Sequence, residues 1–237
     1  MLIYNNYFGI NETLVNEISK KTRHLIVDSA QAFYFRPKLG QYCFNSVRKF
    51  FGVPDGGFLY GFTSDSIENY LQLKEVKYNY SHLINRLEFG TEKSYEEYKH
   101  NEKVLTNNPL GKMSKFTQAL LSNVNFDSVN QRRVENYVIL HDYLHANNQL
   151  KLSSDLGNNV PLCYPFLVNK GHQLKQFLIS NRIFIPTYWP NVREWINDKS
   201  CFEYYLFKNL VCIPIDQRYS IDDMNHIINT LKKFEYA

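Results

Sequence analysis

The chain has 237 residues, of which 44% are hydrophobic and 16% aromatic, enough to bury the core of one large domain or two small ones. Its formal net charge is +4, and acidic and basic residues are interspersed without long runs of one sign, which argues against a dedicated nucleic-acid surface. No apolar run reaches the roughly 18 residues that a membrane span requires. The cysteines show no Cys-x-x-Cys spacing and no signal peptide precedes them, so we expect reduced thiols in a soluble, cytoplasmic protein.

The beginning of the chain alternates strand-like and helical segments, which predicts an α/β fold. Leu2 to Gly9 has strand-like composition, and Asn11 can cap a helix that continues to about Lys21. His24 to Asp28 is an apolar run that ends in a carboxylate, as a buried parallel strand would. Ligands of open α/β sheets bind at the carboxyl ends of the strands, so Asp28 is a candidate site residue.

The segment from Phe44 to Gly57 holds one lysine among aromatic residues, ahead of a glycine pair. Predicted strands flank it, Tyr42 to Val47 and Gly57 to Phe62. A lysine amine is nucleophilic only when unprotonated, and its pKa falls when it is desolvated or lies beside another cation, here Arg48. Glycines allow a tight turn beside a bound group. We therefore predict that Lys49 carries the chemistry, with a solvated Lys-Arg pair before an ordinary turn as the alternative.

Helical patterns dominate the middle of the chain. Ser64 or Asp65 can cap one helix, and the segment from Ser81 to Leu105 is a charged helical excursion with a solvated face. Two further helices are predicted, Met113 to Asn123 and Asp127 to Asn147. His141 and His145 lie one turn apart, but no acid or thiol has matching spacing, so we interpret them as surface histidines and predict no metal site.

The C-terminal part returns to short strands and helices, which predicts a small α+β domain. The predicted strands and helices are Tyr164 to Val168, His172 to Asn181, Cys201 to Lys208, Leu210 to Ile213 and Ser220 to Phe234. Ser220 and Asp223 have the spacing of a capping box. The predicted domains are residues 1–130 and residues 131–237, the second including a linking helix.

Two segments resemble those of a known family. The run from Ile26 to Ala32 resembles the Asp-x-Ala-Gln segment of DegT/DnrJ/StrS-type sugar aminotransferases, which are pyridoxal-phosphate (PLP) enzymes of the aspartate aminotransferase fold, fold type I. The Lys49 stretch with Gly56 and Gly57 resembles their Schiff-base segment, in the same order and spacing. The resemblance covers nearly the whole chain. It implies a truncated PLP-transferase large domain, with a mostly parallel sheet and helices, followed by a small C-terminal α+β domain.

The resemblance also implies a role for each matching residue. Lys49 would bind PLP covalently and move a proton, and Asp28 would keep the pyridine nitrogen protonated so that the ring withdraws electrons. Gln31 would approach the oxygen side of the ring, and Ser46 would bind the phosphate. Ser46 stands three residues before Lys49, whereas most of the family has this serine five residues before, which departs from the pattern. The residues expected near the substrate are Tyr188, Trp189 and Arg218.

The implied substrate is a nucleotide-linked keto-sugar of surface polysaccharide biosynthesis, with glutamate as the amino donor. The family begins with about a hundred residues, a typical domain's worth, that this chain lacks, and they include a phosphate-binding helix end and a ring-stacking residue. We therefore expect impaired activity and association as a homodimer or with a complementing N-terminal fragment. The alternative is a catalytically inactive remnant that acts as a binding or dimerisation partner.

A second class of enzyme uses the same two residue types. Ser46 and Lys49 have the Ser-x-x-Lys spacing of serine acylases, in which the lysine activates the serine. The Lys-Thr-Gly and Ser-Asp-Asn motifs of that class occur nowhere in the chain. The aminotransferase interpretation therefore explains more of the sequence.

Overall fold

The computed structural model describes residues 1–38, 41–61, 64–75 and 78–234. The chain forms two compact units that divide between Asn125 and Phe126. Among the described residues, no helix combines the length and apolarity needed to cross a membrane.

The first unit contains a mixed set of strands and helices. In chain order they are β1 (Leu2–Asn5), α1 (Glu12–Lys21), β2 (Leu25–Ser29), β3 (Tyr42–Asn45), β4 (Leu59–Tyr60), α2 (Ser64–Leu71), α3 (Ser81–Phe89), α4 (Thr91–Asn107) and α5 (Lys115–Ser122). The second unit has the elements α6 (Phe126–Leu144), β5 (Cys163–Leu167), α7 (Gly171–Ser180), α8 (Val192–Trp195), α9 (Phe202–Asn209), β6 (Leu210–Pro214) and α10 (Ile221–Leu231). Short 3-10 helices cover Tyr7–Gly9, Val47–Lys49 and His145–Asn147.

The sheet of the first unit has the order β1-β2-β3-β4. β1, β2 and β3 run parallel, and β4 pairs antiparallel with β3. The register places Ile3 beside Ile26 and Ile26 beside Tyr42. The predicted α/β class with a mostly parallel sheet is confirmed. Because parallel strands end at the same edge of a sheet, the segments that follow β1, β2 and β3 meet there.

One face of this sheet is covered. Val15 of α1 is fully buried against Leu25 and Val27 of β2 and Cys43 of β3. Phe35, from the segment after β2, completes the cluster. Side chains alternate along a strand, so these residues share one face and supply the hydrophobic core of the unit.

The opposite face of the sheet is open in the described residues. It carries Ile3, Tyr42 and Leu59, which are 59%, 37% and 64% exposed, and the half-buried Asp28. Large apolar side chains in neighbouring strands form an exposed patch rather than scattered surface residues.

Three elements have bounds in the structure that differ from those predicted from the sequence. The strand-like run after Leu2 stops at Asn5, because Phe8 and Gly9 adopt positive φ angles of 57° and 70° and turn the chain. Gly90, with φ 87°, divides the predicted helical excursion into α3 and α4. The long helix ends at Leu144 and continues as a 3-10 turn. The predicted strand end at Phe62 and the side chains of the helix caps Ser64 and Asp65 lie outside the described residues.

The second unit is built around the antiparallel pair of β5 and β6, all of β5 being buried. The buried Arg133 of α6 donates from Nη1 to the carbonyl of Leu162 at 3.1 Å, just before β5, and from Nε to Gln217 at 3.1 Å, after β6. Asn136, one turn later, donates to the carbonyl oxygens of Ile215 and Tyr219. These polar contacts fix α6 to both strands.

His141 is not a surface histidine, so that prediction is wrong. Its ring stacks on Tyr137 with centroids 5.8 Å apart, and its Nδ1 lies 3.5 Å from the hydroxyl of Tyr164 on β5. Helix α6 turns this face towards the buried strand, which the one-turn spacing of His141 and His145 does not reveal. Burial lowers the pKa of His141 and favours its neutral form. Among the described residues, no cluster of three or more His, Cys, Asp or Glu side chains could hold a metal ion.

Asp55 joins the segment after β3 to α5. It is 2% exposed and accepts hydrogen bonds from the backbone N–H of Ser114 at 2.9 Å and from its hydroxyl at 2.6 Å. The hydroxyl of Thr117 donates to the same carboxylate at 3.0 Å. Ser114 also caps α5 by accepting from the N–H of Thr117. A buried carboxylate with three donors therefore anchors the loop that carries Lys49.

We expect Asp55→Ala to lower the free energy of unfolding by about 2 to 4 kcal/mol, because it leaves the Ser114 and Thr117 donors without an acceptor in a buried site. Urea unfolding followed by circular dichroism measures the change. Glu17→Ala, at an exposed position of α1, is the matched control and should shift the midpoint little. An equal midpoint in wild type and Asp55→Ala would contradict the anchoring role.

Candidate functional site

Three polar segments meet at the carboxyl edge of the parallel strands. Asn6 follows β1, the segment from Asp28 to Gln31 spans the end of β2 and the turn after it, and the 3-10 helix that ends in Lys49 follows β3. This edge is where open α/β sheets bind ligands. The structure therefore brings the predicted residues of the first unit to one edge of one sheet.

The loop that carries Lys49 is held by its own backbone and by Asn45. The side-chain oxygen of Asn45 accepts from the N–H of Phe58 at 2.9 Å, and the N–H of Val47 donates to the carbonyl of Gly56 at 3.2 Å. A Cβ at Gly57 would clash with the carbonyl oxygen of Asn45, so only glycine allows this close approach. Lys49 thus sits on a closed loop of defined shape.

Opposing effects act on the pKa of Lys49. Desolvation by surrounding protein atoms is the largest effect and lowers the pKa, even though the residue as a whole is exposed. The negative charge of Asp28 raises it, and the positive charge of Arg48 lowers it. The net result is a lowered pKa, which increases the fraction of nucleophilic amine at a given pH.

Asp28 and Gln31 lie in the same turn. The Asp28 carboxylate accepts from the N–H of Ala30 at 2.9 Å, which fixes its position at the end of β2. The side-chain oxygen of Gln31, a buried residue, accepts from the N–H of Phe8 at 3.2 Å. Gln31 therefore ties the turn after β1 to the turn after β2.

Ser46 precedes the 3-10 helix Val47–Lys49 and is half-buried. Its side chain makes no capping hydrogen bond to that helix. Ser46 is close in sequence to Lys49, and the role of Ser46 in binding phosphate stays a prediction.

Arg48 is held by the helical hairpin of α3 and α4. Its guanidinium forms an ion pair with Glu102 of α4. It also interacts electrostatically with Tyr98 of the same helix. Burial is the main cause of the lowered pKa of His82 on α3, and the positive charge of Arg48 lowers this pKa further. The hairpin, whose role the sequence did not indicate, therefore fixes the cation next to Lys49.

Asn6 is a polar residue of this edge that the sequence reasoning missed. It is 1% exposed, and neither atom of its side-chain amide has a hydrogen-bond partner among the described residues. Buried amides are normally paired, so each exception calls for an explanation. A signal was present: Asn5 and Asn6 follow an apolar strand directly, as Asp28 does.

The other predicted site residues belong to the second unit. Tyr188 and Trp189 have ring centroids 5.6 Å apart. Arg218 forms a two-pronged ion pair with Asp216, with N–O distances of 2.7 and 2.8 Å. Desolvation raises the pKa of Asp216, but the hydrogen bonds and charge of Arg218 outweigh it and lower the pKa overall. The segment after β6 thus already pairs the predicted substrate-binding arginine.

Comparisons with known proteins give structural neighbours only. No family model matches the sequence, and no curated protein matches it. A DegT DnrJ EryC1 StrS aminotransferase from Brucella abortus matches with a TM-score of 0.61 at 14% identity, over 97% of this chain and 63% of that one. A putative sugar aminotransferase from Streptococcus pneumoniae in its PMP form matches with a TM-score of 0.60 at 14% identity, over 98% and 68%. A sugar aminotransferase from Micromonospora echinospora matches with a TM-score of 0.53 at 14% identity, over 98% and 66%.

These neighbours establish the fold that this chain shares with sugar aminotransferases. The predicted fold is therefore confirmed. The chain spans about two thirds of the length of these structures, between 63% and 68%.

Opposite charge changes should move the pKa of Lys49 in opposite directions. Arg48→Met removes a neighbouring positive charge and should raise this pKa, whereas Asp28→Asn removes a negative charge and should lower it. The measurement is the pH dependence of Lys49 modification by an amine-reactive reagent, read by peptide mass spectrometry. Reaction should begin at higher pH in Arg48→Met and at lower pH in Asp28→Asn than in wild type.

Lys103→Met is the control, because it removes an exposed positive charge from α4, one residue after Glu102. Its profile should match wild type. Shifts of the same sign in both site variants would contradict the electrostatic account.

Proposed function

We propose that the chain is an aminotransferase-like protein that binds PLP at the carboxyl edge of its parallel sheet. The observation that carries the proposal is the position of Asp28 and Lys49, at the ends of neighbouring strands in a fold shared with sugar aminotransferases. In the proposed site Lys49 holds the cofactor covalently, and Asp28, Gln31 and Ser46 contact it.

The residues present suit this cofactor. Asp28 offers a carboxylate to a ring nitrogen, and its charge interacts with that of Lys49. The amide nitrogen of Gln31 offers a donor to a ring oxygen at the same edge.

Each residue has a distinct part in the proposed chemistry. PLP supplies an electron-poor ring that accepts an electron pair from the carbon next to a bound amino group. Asp28 holds a proton on the ring nitrogen and so preserves that electron demand. Lys49, when released, moves a proton through Nζ to and from the reacting carbon. Its lowered pKa favours the neutral amine that this step needs.

We propose a nucleotide-linked keto-sugar of surface polysaccharide biosynthesis as the acceptor and glutamate as the amino donor. Tyr188 and Trp189 supply aromatic faces suited to a sugar ring or base, and Arg218 supplies donors suited to phosphate. The four free cysteines support a reducing, cytoplasmic location. The chain spans about two thirds of the matched structures, and impaired turnover by this chain alone is part of the proposal, as are the domains 1–130 and 131–237.

Lys49→Ala should abolish covalent PLP binding. In wild type, incubation with PLP and reduction by borohydride should label the peptide that contains Lys49, since only a neutral amine forms the reducible linkage. Lys49→Arg should also remain unlabelled, because a guanidinium stays protonated. Peptide mapping by mass spectrometry identifies the labelled residue.

Lys103→Ala, at an exposed position on α4, is the matched control and should label like wild type. Labelling on a different lysine, or unchanged labelling in Lys49→Ala, would overturn the assignment of Lys49.

The open sheet face favours a second function, in which the chain acts as a binding or dimerisation partner. Ile3, Tyr42 and Leu59 expose apolar surface on neighbouring strands. Burying one such side chain stabilises a contact by roughly 1.5–3 kcal/mol, so a few of them suffice for association. β1 also lies at the edge of the described sheet, where backbone groups are available for pairing. We propose a homodimer, with a complementing N-terminal fragment as the other candidate partner.

Replacing Ile3 and Leu59 together by lysine should weaken self-association at least about tenfold, because two charges would have to be desolvated in the contact. Analytical ultracentrifugation over a range of concentrations measures the dissociation constant. Leu87→Lys, at an exposed position of α3 away from the sheet, should leave it unchanged. A strictly monomeric wild-type chain would contradict dimerisation.

A further inference from the structure

Lys175 is a buried lysine outside the site described above. It lies beside Leu174 on the buried face of α7 and is only 7% exposed. Its Nζ donates to the hydroxyl of Thr187 at 3.3 Å. In the part of the chain that the structure describes, no carboxylate forms an ion pair with it. An ammonium group has three donors, so two of them are left for another acceptor.

Burial of this side chain has a cost. Removing an ammonium group from water without a counter-ion is unfavourable. Desolvation is the largest effect on the pKa of Lys175 and lowers it, and an electrostatic interaction with Cys212 on β6 opposes it. A methionine would fill the same space without this cost. Costly polar groups in a core are typical of functional sites.

The acceptor of Lys175 begins an unusual segment. Thr187 is followed directly by Tyr188 and Trp189, whose rings are 5.6 Å apart. Trp189 has a φ of 49°, in the left-handed region that bulky residues rarely adopt. Such backbone strain clusters at ligand-binding segments. A buried cation and a strained aromatic residue thus lie next to the same threonine.

We propose that Lys175 is the anion-binding group of a ligand site on the second unit, which takes a carboxylate or phosphate group of a small molecule. Its ammonium donates to an oxygen of the anion, and Thr187, which accepts from Lys175, donates its own hydroxyl hydrogen to the same group. Tyr188 and Trp189 provide an aromatic surface for the rest of the ligand. Hydrogen bonds between charged partners are about twice as strong as neutral ones, so the anion offsets the cost of the buried charge.

The site shares Tyr188 and Trp189 with the proposed function and in that respect rests on it. The test uses the full chain carrying Lys49→Ala, so that cofactor chemistry at Lys49 contributes nothing and failure of this proposal is distinguishable from failure of the proposed function. The chain has two tryptophans, Trp189 and Trp195, and Trp195→Phe leaves Trp189 as the fluorescent reporter. Inorganic pyrophosphate and glutarate are titrated separately, as a phosphate and a carboxylate probe. We expect a saturable change in Trp189 fluorescence and a higher melting temperature with at least one probe.

Lys175→Met should weaken this binding at least about tenfold, which is about 1.4 kcal/mol, while the melting temperature without anion stays equal or rises. Lys175→Arg, which keeps the charge, should retain part of the response. Lys199→Met, at an exposed position of the same unit, should respond like the parent chain. A response to one probe assigns the chemical class of the ligand, and a response to both assigns a general anion site.

Two results would overturn the proposal. One is the absence of saturable binding with both probes. The other is equal binding in the parent chain and in Lys175→Met, which would make Lys175 a packing residue whose ammonium only reaches towards solvent.

Discussion

The carboxylate of Asp55 is the contact on which the geometry of the first unit depends. It accepts from Ser114 twice and from Thr117 once, and so it joins the loop after β3 to the start of α5, more than 50 residues later in the chain. Inside that loop, Asn45 and Gly57 close the backbone around Val47. The strand fixes one end of the loop and Asp55 fixes the other. Lys49 lies between these two ends of the loop, and together they fix its position.

The electrostatics of the site follow from this geometry. Asp28 and Arg48 act on the same lysine with opposite sign, and both act less strongly than desolvation. The position of each charge is itself fixed, Asp28 by the N–H of Ala30 and Arg48 by Glu102. The part-buried Arg48–Glu102 pair places a cation beside Lys49, which gives the hairpin of α3 and α4 a role in the site.

Two buried cations of the second unit, Arg133 and Lys175, differ in their hydrogen-bond partners. Arg133 shares its donors among backbone carbonyls and a glutamine, and it fastens α6 to the strands. Its buried charge is thus part of the scaffold. Lys175 has one hydroxyl acceptor and is attached to the segment with the strained Trp189. The first arrangement belongs to the scaffold, whereas we propose that the second binds an anionic ligand.

The sequence by itself determined the α/β class, most helices and strands, and the candidates Asp28 and Lys49. These depend on local patterns such as apolar runs, glycine pairs and helix caps. The cap formed by Ser220 and Asp223 is one example, and the structure confirms its reciprocal hydrogen bonds. Tertiary structure decided everything that requires contact between distant residues. Only the folded chain buries Asn6 with no hydrogen-bond partner among the residues that the structure describes, turns His141 inwards and pairs Arg48 with Glu102. Periodicity specifies which side of an element is apolar, but it does not specify which element covers that side. Burial, and with it the pKa of a lysine or the isolation of an amide, is therefore a property of the assembled core.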